Sequence, residues 1–196
     1  RFRRRSMDDF LPPKPVLQAD PALTARWRDW LATLGGTLRV GISWRSGSVT
    51  GSKAVRYAPL NAWAPVLKTP DVAFVCLQYD ECSEEIKTIR KRFGVDVHVP
   101  PDLDRRDDFE NLAALDAALD LVVTCPNTVG DLAGGIGTPC WVIEHAPHWP
   151  WGLWPAAGED GQMWYPGLRM FSARNYGSWD AVFADVAQRL AASCRS

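Results

Sequence analysis

The stretch Asp108–Val142, DFENLAALDAALDLVVTCPNTVGDLAGGIGTPCWV, decides the fold. Phe109, Leu112, Leu115 and Leu119 recur at three- and four-residue steps and mark one face of a helix. Leu121–Cys125 (LVVTC) is apolar without alternation, as expected of a strand covered on both faces. Pro126-Asn127 break that run. A small-residue helix from about Thr128 to Ile136 leads into a second apolar strand, Cys140–Ile143. Helix, strand, helix and strand in this order form a unit of a parallel sheet.

The same alternation extends outward. Asp20-Pro21 caps a helix bearing Leu23, Trp27, Trp30, Leu31 and Leu34, which Gly35-Gly36 stops. Arg39–Trp44 (RVGISW) and Val72–Gln78 (VAFVCLQ) read as strands, and Leu60, Trp63 and Leu67 as a helix face between them. A helix carrying Ile86, Ile89 and Phe93 precedes a short strand at Val95–Val99. After Trp149 the pattern lapses into a Trp/Pro/Gly-rich loop that holds four of the ten tryptophans. A last strand follows at Leu168–Phe171, and Ser178 caps a final helix with Phe183, Val186 and Leu190. The expectation is an α/β, Rossmann-like three-layer domain with a mainly parallel sheet of about six strands. Its ligand belongs at the carboxyl ends of the strands. Residues 1–16, with Arg1, Arg3, Arg4, Arg5 and Leu11-Pro12-Pro13-Lys14-Pro15, read as a stiff basic linker from an upstream region, and residues 17–196 as the domain.

Composition narrows the functions. Lys plus Arg total 22 against 23 Asp plus Glu, so the basic excess of a nucleic-acid binder is missing. No run of about 18 apolar residues spans a membrane, and no signal peptide opens the chain. Cys76, Cys82, Cys125, Cys140 and Cys194 are odd in number and lack CxxC spacing, which suits reduced thiols and the cytoplasm.

Three stock motifs of parallel sheets are missing. The turn after the first strand is Trp44-Arg45-Ser46-Gly47, without the G-x-G-x-x-G of a dinucleotide site. Gly47–Lys53 (GSVTGSK) has three residues between its glycines where a P-loop has four, and no G-x-S-x-G elbow occurs. His145 and His148, with Cys140 and Glu144, fit no standard zinc spacing, so no metal is expected.

Two polar, glycine-bearing loops stand at strand ends. One is Arg45–Arg56 (RSGSVTGSKAVR), which includes Ser46. The other, Pro126–Asp131, contains Asn127, Thr128, Val129 and Gly130 and enters a helix directly. Free N–H groups and the positive end of that helix favour an anion, by roughly 0.3–2 kcal/mol. A diphosphate also needs a cation, for which Arg56 or Lys53 is placed.

Asp108–Val142 resembles the C-terminal domain of bacterial glycosyltransferases of the heptosyltransferase-like kind. That module also ends tetratricopeptide-repeat proteins and is more distantly similar to O-linked N-acetylglucosamine transferase. Further matches are Arg39–Trp44, Arg56 with Pro59-Leu60, Leu77-Gln78, Trp149 with Trp151, Trp164-Tyr165-Pro166, and Gly177 with Trp179. The resemblance implies the C-terminal, donor-binding half of a GT-B enzyme, with a nucleotide sugar as substrate and no separate cofactor. It puts Arg56, Asn127 and Thr128 at the donor phosphates, and Gln78 with Asp80 near the nucleoside. Pro126 stands where the family carries Asp, Asp131 where it carries His, and Pro150 where it carries Arg between two tryptophans. Asp131 brings a negative charge that opposes a diphosphate unless it bonds a sugar hydroxyl.

The function expected is a nucleotide-sugar-binding domain of a glycosyltransferase, working with an upstream domain of the same polypeptide. No catalytic residue is assigned within the chain. The alternative is a non-catalytic, glycosyltransferase-like module for protein–protein interaction, which the Trp149–Trp164 cluster suits.

Overall fold

The structure, a computed structural model, describes residues 14–47, 57–145, 165, 167–173 and 177–195. Helix α1 (Pro21–Ala32) precedes strand β1 (Leu38–Ser43), and a 3-10 turn (Leu60–Trp63) runs into the short α2 (Ala64–Leu67). There follow β2 (Val72–Cys76), α3 (Ser83–Phe93), β3 (Val97–His98), α4 (Phe109–Ala118), β4 (Leu121–Thr124) and α5 (Thr128–Ile136). Strands β5 (Cys140–Glu144) and β6 (Leu168–Ser172) and helix α6 (Trp179–Ser193) complete the chain. The six strands form one sheet in the order β3-β2-β1-β4-β5-β6, and every neighbouring pair is parallel.

Local chemistry sets the helix ends. Asp20 Oδ1 accepts from Leu23 N at 2.8 Å with Pro21 at the first position, and Asp108 Oδ1 accepts from Asn111 N at 3.1 Å. Ser178 Oγ accepts from Ala181 N at 3.2 Å. Each such cap stabilises its helix by about 1 kcal/mol. Helices α3 and α5 end on Gly94 and Gly137 at φ +69° and +92°, the left-handed conformation that glycine adopts without strain.

The sheet divides the apolar residues into two layers. On one face Val40, Ile42, Phe74, Cys76, Val123, Ile143 and Phe171 meet α2, α3 and α6 through Trp63, Val66, Ile89, Phe183 and Val186. On the other, Val75, Leu77, Val122, Cys140 and Val142 meet α1, α4 and α5 through Trp27, Leu31, Leu112, Leu115 and Val129. Alternate residues of one strand thus enter different cores, which is why the strands read as unbroken apolar runs. At Gly41, in the middle of β1, a Cβ would stand 2.4 Å from Leu77 Cδ1 and 2.7 Å from Leu119 Cδ1. The missing side chain lets α4 close over the sheet centre.

The expected layout holds, with β2 and β4 ending at Cys76 and Thr124 and β3 contracting at both ends. The strand anticipated at Val95–Val99 shrinks to Val97–His98. Pro100 and Pro101 follow it, and without N–H groups they cannot continue the ladder. Arg56, Lys53 and the Trp149–Trp164 cluster lie outside the described residues. At the start of the domain, Val16 and Leu17 both donate backbone N–H groups to Gly135 O, at 2.8 and 2.9 Å. No described helix is long and apolar enough to cross a membrane.

One core residue contradicts its surroundings. Asp116 of α4 is fully buried and neither carboxylate oxygen has a partner, while its backbone carbonyl accepts from Thr138 Oγ1 at 3.0 Å. Burial raises its pKa well above the ordinary aspartate range. A raised folded pKa means that the stabilising contribution is complete below the unfolded value of about 3.9 and is lost as pH rises toward the folded one. Asp116→Asn stays neutral throughout, so its melting temperature relative to wild type should climb with pH above about 4 and then level off. Asp116→Leu, which removes the polar group, should gain about 1–3 kcal/mol at pH 7.5. Thermal unfolding of the three proteins at stepped pH checks both expectations.

Candidate functional site

In the order 3-2-1-4-5-6 the connections diverge between β1 and β4, leaving a crevice beyond their carboxyl ends. The parallel register pairs Ser43 of β1 with Thr124 of β4 as the last residues of both strands. Two small hydroxyl residues therefore end otherwise apolar strands at the crevice floor.

Asn127 joins the two sides. Its Oδ1 accepts from Val129 N (3.0 Å), Gly130 N (3.4 Å) and Thr124 Oγ1 (3.1 Å), capping α5. Its Nδ2 donates to Ser43 Oγ at 2.9 Å and to Cys125 Sγ at 3.3 Å. Two of the amides expected to face an anion are thus occupied by the cap, and Asp131 N turns back to Asn127 O at 3.4 Å. Thr128, at the first position of the helix, is exposed.

Gln78 is fully buried and acts as a clamp. Its Oε1 accepts from Ser43 Oγ (3.3 Å), Trp44 N (3.2 Å) and Arg45 N (3.2 Å). Its Nε2 donates to Arg45 O at 2.9 Å and to Asp80 Oδ1 at 2.7 Å. The loop leaving β1 is therefore laid on the loop leaving β2. Tyr79 extends the seam, its hydroxyl 2.9 Å from Ser46 Oγ and accepting from Gly47 N at 2.8 Å.

Arg45 lies between carboxylates. Its guanidinium bonds Glu85 at 2.6–3.2 Å, pairs with Asp80 Oδ2, and donates to Glu81 O at 3.0 Å. Glu85 also accepts from the Trp44 indole N–H at 3.0 Å. The hydrogen bonds from Glu85 and Asp80 push the Arg45 pKa up, although burial opposes them. Its positive charge is spent inside the protein.

Asp131, in the first turn of α5, is half-buried, and burial pushes its carboxyl up to about 6. The Tyr165 hydroxyl donates to it at 3.4 Å. The Tyr165 ring lies over Gly134, where a Cβ would stand 2.7 Å from the ring. A glycine one turn along the helix thus admits the tyrosine that faces the acid.

The structure therefore links Arg45, Gln78, Asp80 and Asn127, through Ser43, in one hydrogen-bonded network at the ends of β1, β2 and β4, with Ser46 joined to Tyr79, Val129 and Gly130 under the Asn127 cap, and Asp131 turned to Tyr165. Sequence reading missed Ser43, Tyr79 and Glu85. Ser43 and Thr124 carried a signal as hydroxyl residues closing apolar strands, whereas Glu85 looked like any acid in the first turn of a helix. Among the described residues, no group of three His, Cys, Asp or Glu side chains converges as a metal site would. His145 is exposed beside Trp179, with ring centroids 5.8 Å apart.

Comparison with solved structures finds the same fold in glycosyltransferases. The chain matches a glycosyl transferase family 9 protein from Veillonella parvula with a TM-score of 0.64 at 10% identity, over 96% of this chain and 55% of that one. It matches the E. coli heptosyltransferase WaaC with ADP at TM-score 0.55 and 17% identity, over 92% and 51% of the two chains. The same enzyme with ADP-2-deoxy-2-fluoro heptose gives 0.53 at 16% identity, over 92% and 50%. At these identities the likeness is one of fold. In sequence, the chain is 37% identical over 196 residues to Protein FlbA of Caulobacter vibrioides, covering 94% of this chain and 32% of FlbA. No family model matches. The chain thus spans about a third of that curated relative and about half of the solved structures.

The clamp has a measurable weight. Gln78→Leu orphans the amides of Trp44 and Arg45, and each unpartnered buried group costs about 1–3 kcal/mol. Urea unfolding should show a lower midpoint with an unchanged slope.

Proposed function

We propose that this chain is the nucleotide-binding half of a glycosyltransferase-like protein, holding the diphosphate of a nucleotide sugar in the crevice between β1 and β4. The observation that carries this reading is the meeting, at the switch point of an all-parallel sheet, of a capped helix end with the polar loop leaving β1. The fold it shares with a heptosyltransferase solved with ADP supports the same assignment.

The chemistry follows from charge. When an acceptor hydroxyl displaces a nucleoside diphosphate, negative charge grows on the leaving phosphate. Preorganised N–H groups, a hydroxyl and a cation stabilise it without reorganisation. Thr128 supplies the hydroxyl and the helix end, and Arg56 the cation. Arg45 is unsuited to that task, being neutralised by Glu85 and Asp80. Among the described residues at the ends of β1, β2 and β4 no His offers a base to the acceptor. That base and the acceptor wall belong to a preceding domain of a longer polypeptide, of the tetratricopeptide-repeat kind that the sequence resembles, working in the cytoplasm.

A second reading has its own observation. Two carboxylates, Asp80 and Glu85, outnumber the single Arg45 they hold at the end of β1, and Asp131 stands in the first turn of α5, which favours a glycosyltransferase-like module that has kept the fold for binding a protein partner.

Titration calorimetry with ADP and other nucleoside diphosphates separates the two. The first reading expects saturable binding that weakens at least about tenfold in Arg56→Ala, the loss of one charge-assisted hydrogen bond. Lack of binding by every nucleoside diphosphate favours the second.

The acid near the helix end adds a pH dependence. Asp131 is ionised above about pH 6 and neutral below it, so nucleotide affinity should rise as pH falls through that value. Asp131→Asn should bind roughly threefold to tenfold tighter than wild type at pH 7.5, as expected when one nearby like charge is removed. The two should converge at pH 5. Running both proteins at each pH cancels the protonation of the phosphate itself.

A further inference from the structure

Two of the five cysteines have come together where β2 ends. Cys76 is the last residue of β2 and Cys82 the residue before α3, and their sulfurs lie 3.7 Å apart. Both are buried, Cys82 keeping 5% of its surface exposed and Cys76 none. Cys82 occupies the N-cap position without capping the helix. Glu81 Oε1 accepts from Ser83 N at 2.8 Å instead, and the Cys82 sulfur turns inward. The other two buried thiols differ. The Cys125 sulfur receives a hydrogen bond from Asn127, Cys140 lies in the opposite core, and burial pushes both thiols up.

A second observation concerns the same place. Arg105, in the segment between β3 and α4, buries its Nη1 without an acceptor, and its positive charge acts on both sulfurs. A buried guanidinium nitrogen without an acceptor is costly, and its charge favours the thiolate form of both sulfurs. The S–H of Cys82, with that charge, draws the Cys76 thiol below its ordinary range.

We propose that Cys76 and Cys82 are a redox-active dithiol in the core layer where β2 ends, which closes to an intramolecular disulfide when hydrogen peroxide reaches it. The Cys76 thiolate attacks one peroxide oxygen, so that an S–O bond forms and the O–O bond breaks. The departing hydroxide takes up the proton that the thiol had lost and leaves as water. Cys82 sulfur then attacks Cys76 sulfur. The S–S bond forms, the S–O bond breaks, and the hydroxyl leaves as a second water with the proton of Cys82. Two electrons pass from the thiols to the peroxide. Closure brings the sulfurs from 3.7 Å to the roughly 2.05 Å of a disulfide. The bridge encloses Leu77–Glu81, the segment whose Gln78 and Asp80 hold Arg45, so the oxidised form tethers the clamp of the crevice wall. This holds whether or not a nucleotide binds there.

The test is differential alkylation of the native chain. After peroxide treatment, quenching, alkylation and digestion, mass spectrometry should find residues 76 and 82 in one cross-linked species lighter by two hydrogens. Both positions should lose alkylatable thiol together and regain it with dithiothreitol, while Cys125 and Cys140 remain thiols. In Cys82→Ser, checked for native circular dichroism, Cys76 should stop at the sulfenic acid and be trapped by dimedone. Should that variant misfold, the wild-type map decides alone. Cys76 and Cys82 remaining alkylatable while Cys194 oxidises would overturn the proposal, as would a cross-link that forms only in urea.

Discussion

A single buried hydroxyl holds the two halves of the sheet in register at their functional end. Ser43 Oγ donates to Gln78 from the β2 side and accepts from Asn127 on the β4 side. The bonds are short-range, but they fasten the point at which the chain's connections diverge, where backbone pairing alone leaves the two loops free to separate. From Ser43 the network runs through Gln78 to Arg45 and Asp80, and through Asn127 to the first turn of α5. Enclosed polar networks of this kind rigidify a site only when every member is satisfied, and Gln78 and Asn127 both are.

The electrostatics of the crevice depend on that network. Arg45 is the cation nearest the end of β1, yet Gln78 presents Asp80 to it and Trp44 shares Glu85 with it. The result is a wall with two carboxylates to one guanidinium, a net negative charge. At the facing helix end, two amides serve the Asn127 cap, and Asp131 sets a partly desolvated carboxyl beside the same turn. The helix end still carries its partial positive charge, since capping satisfies N–H groups without cancelling the aligned peptide dipoles. An anion at this helix end, as proposed, would be attracted by the helix dipole and opposed by a carboxyl pushed up to about 6.

The two faces of the sheet are packed by different means. Around α2, α3 and α6, large aromatic side chains interdigitate, with the rings of Trp63 and Phe183 5.1 Å apart and those of Trp141 and Phe171 5.6 Å apart. Around α5 the packing relies on missing side chains. Gly130 lies against Thr124, Val142 and Cys140, Gly134 beneath Tyr165, and Gly135 beneath Leu17. The helix that carries the crevice loop can come so close to the sheet because it is smooth, and Asp116 and Cys140 are buried beside it. A titrating group in such a tight layer makes stability sensitive to pH without any change in shape.

The layered fold was legible in the sequence because burial on both faces writes itself as unbroken apolar runs. LVVTC, VAFVC and the VGIS that follows Arg39 admit no solvent face, and the helices between them carry single apolar stripes. Ser178 and Asp20 were equally legible as caps, since capping is a contact of three residues' range. The sequence by itself therefore determined the element order, the three layers and the end of the sheet to which a ligand site is assigned. It could not say which long-range partner each polar side chain would choose. Arg45 and Asn127 read as ligand-facing groups. The first is bound by acids some 35 and 40 positions away and the second by a serine 84 positions away. The pairing of Cys76 with Cys82, the isolation of Asp116 and the titration of Asp131 were likewise decided by the tertiary structure. Hydrogen bonding and desolvation depend on what surrounds a group in space, and only the folded chain brings those surroundings together.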